Sequence, residues 1–324
     1  MDVTPPAAAS ALALALTLGA GPPVVAWLKR AGLAQIVRED APRRHLEKTG
    51  TPTMGGVLLI GAALAASVVA AAAAGWFSGS VAVGLAVIVI FAAIGGVDDA
   101  LGIARGRNLG LRAREKLALQ IPVALLLGAY VVRTPRLGSA VGLPGTPWHL
   151  DLGWFYPVLC VLLVVGMANA VNLADGLDGL AAGGVAIAAT ALVVMAARVG
   201  AAPIGVIAGA VAGASLGFLW FNAHPARVFM GDVGSQGLGA ALAVTGILAK
   251  LEIPMLIVGG LFVVEALSVI LQVVYFRITG GRRLFRMSPL HHHCELIGWS
   301  ETQTVVRFWI CGVLLAALGM GLAP

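Results

Sequence analysis

The chain has 324 residues, 59% of them hydrophobic and only 11% charged, and its mean hydropathy is +0.95. This composition excludes an ordinary soluble domain, and three cysteines without a spacing pattern exclude a disulfide framework. The formal net charge of +6 does not point to nucleic acid, because the basic residues are sorted by their place between apolar runs.

A spanning helix takes about 20 apolar residues, and about ten such runs occur. They lie near 7–28, 53–75, 80–97, 117–132, 154–171, 179–199, 203–221, 234–250, 254–276 and 305–322. Ala, Gly, Leu and Val dominate them, as suits helices that approach closely in lipid. None alternates as a barrel strand would. The expected fold is all-α: a polytopic integral membrane protein of about ten transmembrane helices, forming a single domain over 1–324. With ten spans the loops alternate sides. Arg133, Arg136, Arg198 and Lys250 fall on one side and the other seventeen of the 21 Lys and Arg on the opposite side. The positive-inside rule makes the basic side cytoplasmic and places both termini outside. The basic loops also suit anionic head groups or phosphorylated substrates.

The first run has no basic residues before Ala7, and Pro22-Pro23 with Trp27 is not a small-residue cleavage site, so it is expected to be a retained helix. Before the second run comes Lys48-Thr49-Gly50-Thr51-Pro52-Thr53-Met54-Gly55-Gly56. Its hydroxyls and amides suit an anion, or simply a basic loop leading into a capped helix. The third run ends in Gly95-Gly96-Val97-Asp98-Asp99. Acids at a helix C-terminus oppose the macrodipole, so capping explains them badly, whereas adjacent carboxylates can bind a hard cation or divide base and ligand roles. The segment Asn108-Leu109-Gly110-Leu111-Arg112-Ala113-Arg114-Glu115-Lys116 reads as phosphate-binding surface or as positive-inside charge. The outer segment 133–153, with Pro135, Pro144, Pro147 and Trp148, reads as a turn-rich or hairpin element.

Asn172-Leu173-Ala174-Asp175-Gly176-Leu177-Asp178-Gly179 joins the fifth and sixth runs. Its glycines let the chain turn tightly and aim oxygens at one point, either as ligands or as an Asx-turn with an N-cap. Between the seventh and eighth runs, the segment from Phe221 to Ser235 carries Asn222, Phe229 and Gly231-Asp232-Val233-Gly234-Ser235. Asp232 could cap the next helix, or the glycines could free amides for a phosphate. Phe229 could stack on a base or anchor the loop in the core. Glu265 and Gln272 interrupt the ninth run, seven residues apart on one helix face. After Arg282-Arg283 and Arg286 comes Met287-Ser288-Pro289-Leu290-His291-His292-His293-Cys294-Glu295-Leu296. Neighbouring side chains diverge, so three histidines would not share one ion, and phosphate contact or acid/base work fits better than a metal site built with Cys294. Cys160, Cys294 and Cys311 are expected to be free thiols.

A transporter or channel would place its acids at mid-membrane depth, where only Glu265 qualifies, and no internal repeat supports that class. The acids instead collect on the basic side, beside helix ends. Taken together in chain order from about Arg38 to Arg307, these motifs resemble the phospho-N-acetylmuramoyl-pentapeptide transferases. The triple-histidine segment is similar to that branch rather than to the related polyprenyl-phosphate N-acetylhexosamine-1-phosphate transferases. Ala174, Leu290 and Cys294 depart from the usual residues at their motif positions.

The resemblance implies a Mg²⁺-dependent enzyme of the bacterial inner membrane with a cytoplasmic-face active-site cleft. It would take UDP-N-acetylmuramoyl-pentapeptide and undecaprenyl phosphate to lipid I and UMP. It implies Asp98, Asp99, Asp232 and His291 as catalytic residues. Asp232 and Asp99 would hold the metal, and Asp98 would be the base. Lys48, Thr53, Asn172, Asp175, Gly176, Leu177, Asp178, Asn222, Phe229, Gln272 and His292 would bind substrate. Membrane lipids are the surroundings it implies, and a homodimer is an assembly such enzymes often form. One displacement, or two through a phospho-aspartate, both remain open.

Overall fold

The structure, a computed structural model, describes residues 2–33, 50–106 and 110–323. Lys48, Asn108 and Leu109 lie outside the described residues. The long helices are α1 (Thr4–Arg30), α2 (Gly56–Ala73), α3 (Gly79–Arg105), α4 (Ala113–Arg133), α5 (Tyr156–Ala174), α6 (Leu180–Arg198), α7 (Ala202–Asn222) and α8 (Gly231–Leu248). A short α9 (Glu252–Val258) leads into α10 (Gly260–Ile278), a short α11 (Leu290–Leu296) follows, and α12 (Glu301–Leu322) ends the fold. Among the described residues, nine helices are long and apolar enough to cross a membrane. The fold is an all-α, polytopic membrane protein.

Two runs behave differently from the sequence expectation. The stretch 254–276 is not one rod, because the chain breaks at Gly259 between α9 and α10. The eighth run is a helix, but α8 is too rich in Gly, Ser and Gln to stand against lipid. Sixteen of its 18 residues are buried, so the other helices enclose it. A polar, glycine-rich helix is stable at membrane depth only with protein on all sides.

The outer segment is a hairpin, as its prolines implied: Ala140–Gly142 pairs antiparallel with His149–Asp151. It joins the C-terminal end of α4 to the N-terminal end of α5, and so marks the far end of the bundle. At the near end meet the C-terminal part of α3, the starts of α4 and α8, and the end of α5.

The third run also continues past its expected end. α3 extends to Arg105, so Asp98 and Asp99 stand inside the helix rather than at its terminus. Hydropathy marks where lipid ends, and the helix outruns the lipid because its acids find partners there. Gly95 makes this possible. A Cβ at Gly95 would fall 2.1 Å from the Asp232 carbonyl oxygen, so only glycine lets α3 touch the first turn of α8. Gly95→Ala should therefore lower both the melting temperature in detergent and turnover. Gly61→Ala, where a Cβ would meet nothing within 4 Å, should leave both unchanged.

Candidate functional site

At the near end, four helices bring charged and polar side chains to one point. Asp99 on α3 accepts the amide of Asp232 on Oδ1 at 3.0 Å and that of Val233 on Oδ2 at 3.1 Å. These amides belong to the first turn of α8, where helix N–H groups have no internal partner and the dipole favours an anion. Asp232 is thus not the N-cap of α8: Met230 holds that position and Asp232 stands in the first turn. Because Asp99 does the capping, the Asp232 carboxylate is left to meet side chains of α4 and α5.

Lys116 on α4 reaches into the same place, with Nζ 2.7 Å from Asp232 Oδ2 and 3.3 Å from Asp98 Oδ2. Asn172 on α5 donates from Nδ2 to Asp232 Oδ1 at 2.7 Å and to Ser235 Oγ at 2.9 Å. Asp98 accepts the Leu111 amide at 2.7 Å, which fixes the chain leading into α4. Three carboxylates stand against one ammonium, an excess of negative charge. Every donor atom in the trio is a carboxylate oxygen, the chemistry of a site for a hard divalent cation.

A second cluster builds the neighbouring wall. Asp178 is buried, and its Oδ2 accepts the Ala226 amide at 3.0 Å and lies 3.1 Å from His224 Nδ1. Glu301, at the start of α12, accepts the Asp178 amide at 2.9 Å. Asp178, His224 and Glu301 bring one ligand atom each within 4.8 Å of one another, a spacing that could hold a metal ion. Their bonds instead join the 175–179 turn, the 223–228 loop and α12, and a histidine donor suits magnesium poorly. Asn222 is buried too. Its Oδ1 accepts the Gly179 amide at 3.1 Å and its Nδ2 donates to the Val228 carbonyl at 2.9 Å, so both ends of the amide hold backbone. Leu177 turns its side chain into a small apolar group with Leu180 and Val305. Asp175 and Gly176 are half-buried at the turn. Thr53 is buried beside Gly231, and half-buried Phe229 is held by backbone bonds to Pro52 and Gly55.

The third cluster carries the histidines. Glu265, fully buried on α10, accepts the amides of Leu290 at 2.8 Å and His291 at 3.2 Å, and so caps α11. His291 is fully buried with Nδ1 3.3 Å from Glu265 Oε2, too poorly aligned for a hydrogen bond. Its Nε2 faces Gly176, where a Cβ would come within 2.4 Å, so Gly176 is the seat of this ring. The rings of His291 and His292 do not diverge as expected: their centroids lie 4.2 Å apart. α11 is a single short helix capped by Glu265, and on it the buried His291 ring and the half-buried His292 ring lie side by side. His292 Nδ1 lies 3.0 Å from Glu295 Oε2, while His293 turns away to Phe285. Gln272 accepts the Leu284 and Phe285 amides and donates to the Phe285 carbonyl, so it shapes the loop. Burial pushes the Cys294 thiol up, away from the thiolate a metal would need.

The chain matches the model of glycosyl transferase family 4 over residues 81–250. It is 48% identical over 324 residues to the phospho-N-acetylmuramoyl-pentapeptide-transferase of Desulforudis audaxviator, with 96% of each chain covered. It is 46% identical over 312 residues to that of Geobacillus thermodenitrificans, again with 96% of each covered. The Moorella thermoacetica protein of the same name is 48% identical over 313 residues, covering 95% of this chain and 96% of its own. The chain belongs to the phospho-N-acetylmuramoyl-pentapeptide-transferase family.

For a member of this family, sequence reading leaves four residues that the site uses out of its candidate set. Lys116 reads as phosphate-binding surface or positive-inside charge without a role of its own, yet it is one of only four lysines and begins a helix whose next turn carries Gln120. Ser235 reads only as part of a glycine-rich stretch whose amides could meet a phosphate, and nothing beside Glu301 in the sequence singles it out. Glu265 reads as an oddity of the ninth run, but it anchors the histidine helix. Glu265→Leu should release the Leu290 and His291 amides. Limited proteolysis should then cut within 286–298, with activity lost; an intact, active protein would contradict the capping role.

Proposed function

We propose that this chain transfers phospho-N-acetylmuramoyl-pentapeptide from its UDP-linked form to undecaprenyl phosphate, giving lipid I and UMP. In this reading the whole chain acts as one catalytic domain in the inner membrane of a bacterium, with its cleft on the cytoplasmic side. The observation that carries it is the meeting of Asp98, Asp99, Lys116, Asn172 and Asp232, from four helices, at one end of the bundle. One substrate lies in the bilayer and the other in water, and helix ends are where both can reach. The excess of Lys and Arg on this side supports its cytoplasmic placement.

The reaction forms a bond from a lipid phosphate oxygen to the sugar-bound phosphorus and breaks the bond from that phosphorus to the oxygen that leaves with UMP. Positioning and charge neutralisation are most of what phosphoryl transfer asks of a protein. Asp232 is the proposed Mg²⁺ ligand, and Asp99, which holds the Asp232 amide, would assist. When bound, Mg²⁺ neutralises charge on the phosphate oxygens. The carboxylate set fits it, and Asp98 with Asp232 already draws one cation, the Lys116 ammonium, between them. Lys116 would hold a phosphate oxygen once substrate enters. Asp98 would take the proton of the lipid phosphate, and Asn172 would keep Asp232 aimed at the cleft.

The wall built by Asp175, Gly176, Leu177, Asp178 and Asn222, with Phe229, is proposed to receive the uridine, and Lys48 is proposed as a further contact to it. Asp178 and Asn222 would act there by shaping the loops whose backbone faces the ligand. Thr53 would line the rim. His291, His292 and Gln272 would orient phosphates or sugar, Gln272 through the loop it folds.

With both substrates and Mg²⁺, purified protein should release UMP. Asp98→Asn, Asp99→Asn, Asp232→Asn and Lys116→Met should each lower kcat by about 10²-fold or more, in line with loss of a positioned charge. UDP-N-acetylglucosamine should not substitute for the muramoyl-pentapeptide. Full activity in all four variants would refute the site.

A further inference from the structure

Beneath the charged cluster lies a second polar layer that the proposed chemistry does not use. Gln120 on α4, Asn169 on α5 and Gln236 on α8 form a closed ring of side-chain amides. Gln120 Nε2 donates to Gln236 Oε1 at 2.8 Å, Gln236 Nε2 to Asn169 Oδ1 at 3.4 Å, and Asn169 Nδ2 to Gln120 Oε1 at 2.9 Å. Gln120 and Gln236 are fully buried. Asn169 Nδ2 also donates to the Val165 carbonyl at 2.8 Å. A carbonyl can only accept, so this bond fixes which way the Asn169 amide points. The direction of the other two amides around the ring then follows.

The register of this ring is its telling feature. Gln120 follows Lys116 by four residues, Gln236 follows Asp232 by four, and Asn169 precedes Asn172 by three. α4 and α8 begin at the site end of the bundle and α5 finishes there. Each ring member therefore stands one helical turn, about 5.4 Å, deeper than a member of the Lys116–Asn172–Asp232 cluster on the same helix face. Beside the ring α8 meets α5 through small residues, Gly239 against Ala168, which lets the helices approach closely but leaves rotation about the helix axis weakly determined. Directional hydrogen bonds between three helices determine it.

We propose that the Gln120–Asn169–Gln236 ring is a positioning device. It locks the rotation of α4, α5 and α8 so that Lys116, Asn172 and Asp232 converge. This rests on the reading of that cluster as the reacting centre. The three residues touch no substrate and act through the charged layer above them. Because the ring is closed, removing one amide leaves the other two each with a broken bond in a buried site. Removing all three leaves nothing unpaired.

That asymmetry supplies the test. Gln120→Met and Gln236→Met should each lower the melting temperature in detergent. Each should also lower kcat on the order of ten-fold or more, since a displacement of about 1 Å at a reacting group costs up to about 10²-fold. The KM for the nucleotide substrate should change less than about two-fold, because the uridine wall is held by bonds of Asp178, Asn222 and Glu301 that do not involve the ring. The triple variant Gln120→Met, Asn169→Leu, Gln236→Met should regain the melting temperature but keep the low kcat. If kcat returns together with the melting temperature, the ring only packs helices and the proposal fails. It fails equally if the single variants keep wild-type kcat, or if the triple variant is no more stable than the singles. Should Asp232→Asn remain active in the same assay, the site reading itself falls; should it be inactive while the ring variants are fully active, only the ring proposal does.

Discussion

Asp99 accepts the amides of Asp232 and Val233, and by doing so fastens the C-terminal part of α3 to the first turn of α8. The other contacts of the site presuppose this bond pair. A helix that begins inside a protein at membrane depth has amide groups that water cannot reach, and leaving them unpaired is expensive. A carboxylate meets that need doubly, with two charge-assisted bonds worth about 1.5–3 kcal/mol each and a favourable position at the positive end of the helix. The arrangement also spends Asp99 on structure and so releases Asp232, whose own carboxylate would otherwise be the nearest cap. The requirement is steric as well as electrical, since Gly95 must be small for α3 to come this close.

The polar groups at this end of the molecule are layered. Around the site stand the loop-building residues Asp178, Asn222, Glu265 and Gln272, whose side chains hold backbone amides and carbonyls. Next are the charged groups of α3, α4, α5 and α8. Deepest is the amide ring. Buried polar groups survive when they are fully partnered, and each layer meets that condition with directional bonds between elements distant in sequence. Lipid supplies no hydrophobic drive for one helix to prefer another, so these bonds, with close packing at Gly and Ala, specify the assembly.

Much of this was legible in the sequence. The apolar runs locate all the long helices, and prolines in 133–153 disclose the hairpin. Asp98, Asp99, Asn172 and Asp232 are identifiable because carboxylates and amides beside lipid need a reason. What could not be read is the partner of each group. Asn222 and Gln272 have the residue type of a ligand contact, but their amides hold backbone. Leu177 sits in a polar motif, but its side chain is core. Lys116 is hidden among topological charges until α4 is laid against α8. The enclosure of α8 and the break at Gly259 depend on which helices surround them, and hydropathy along one strand of sequence carries no such information.

The central claim is that one divalent cation is held by the α3 and α8 carboxylates, and not by the Asp178–His224–Glu301 group beside them. Titration of Mn²⁺ into the purified protein in lipid nanodiscs, followed by electron paramagnetic resonance, tests this without relying on turnover. The account predicts a bound-ion signal that Asp232→Asn removes and Glu301→Gln leaves in place. A signal that persists in Asp232→Asn and vanishes in Glu301→Gln would contradict it.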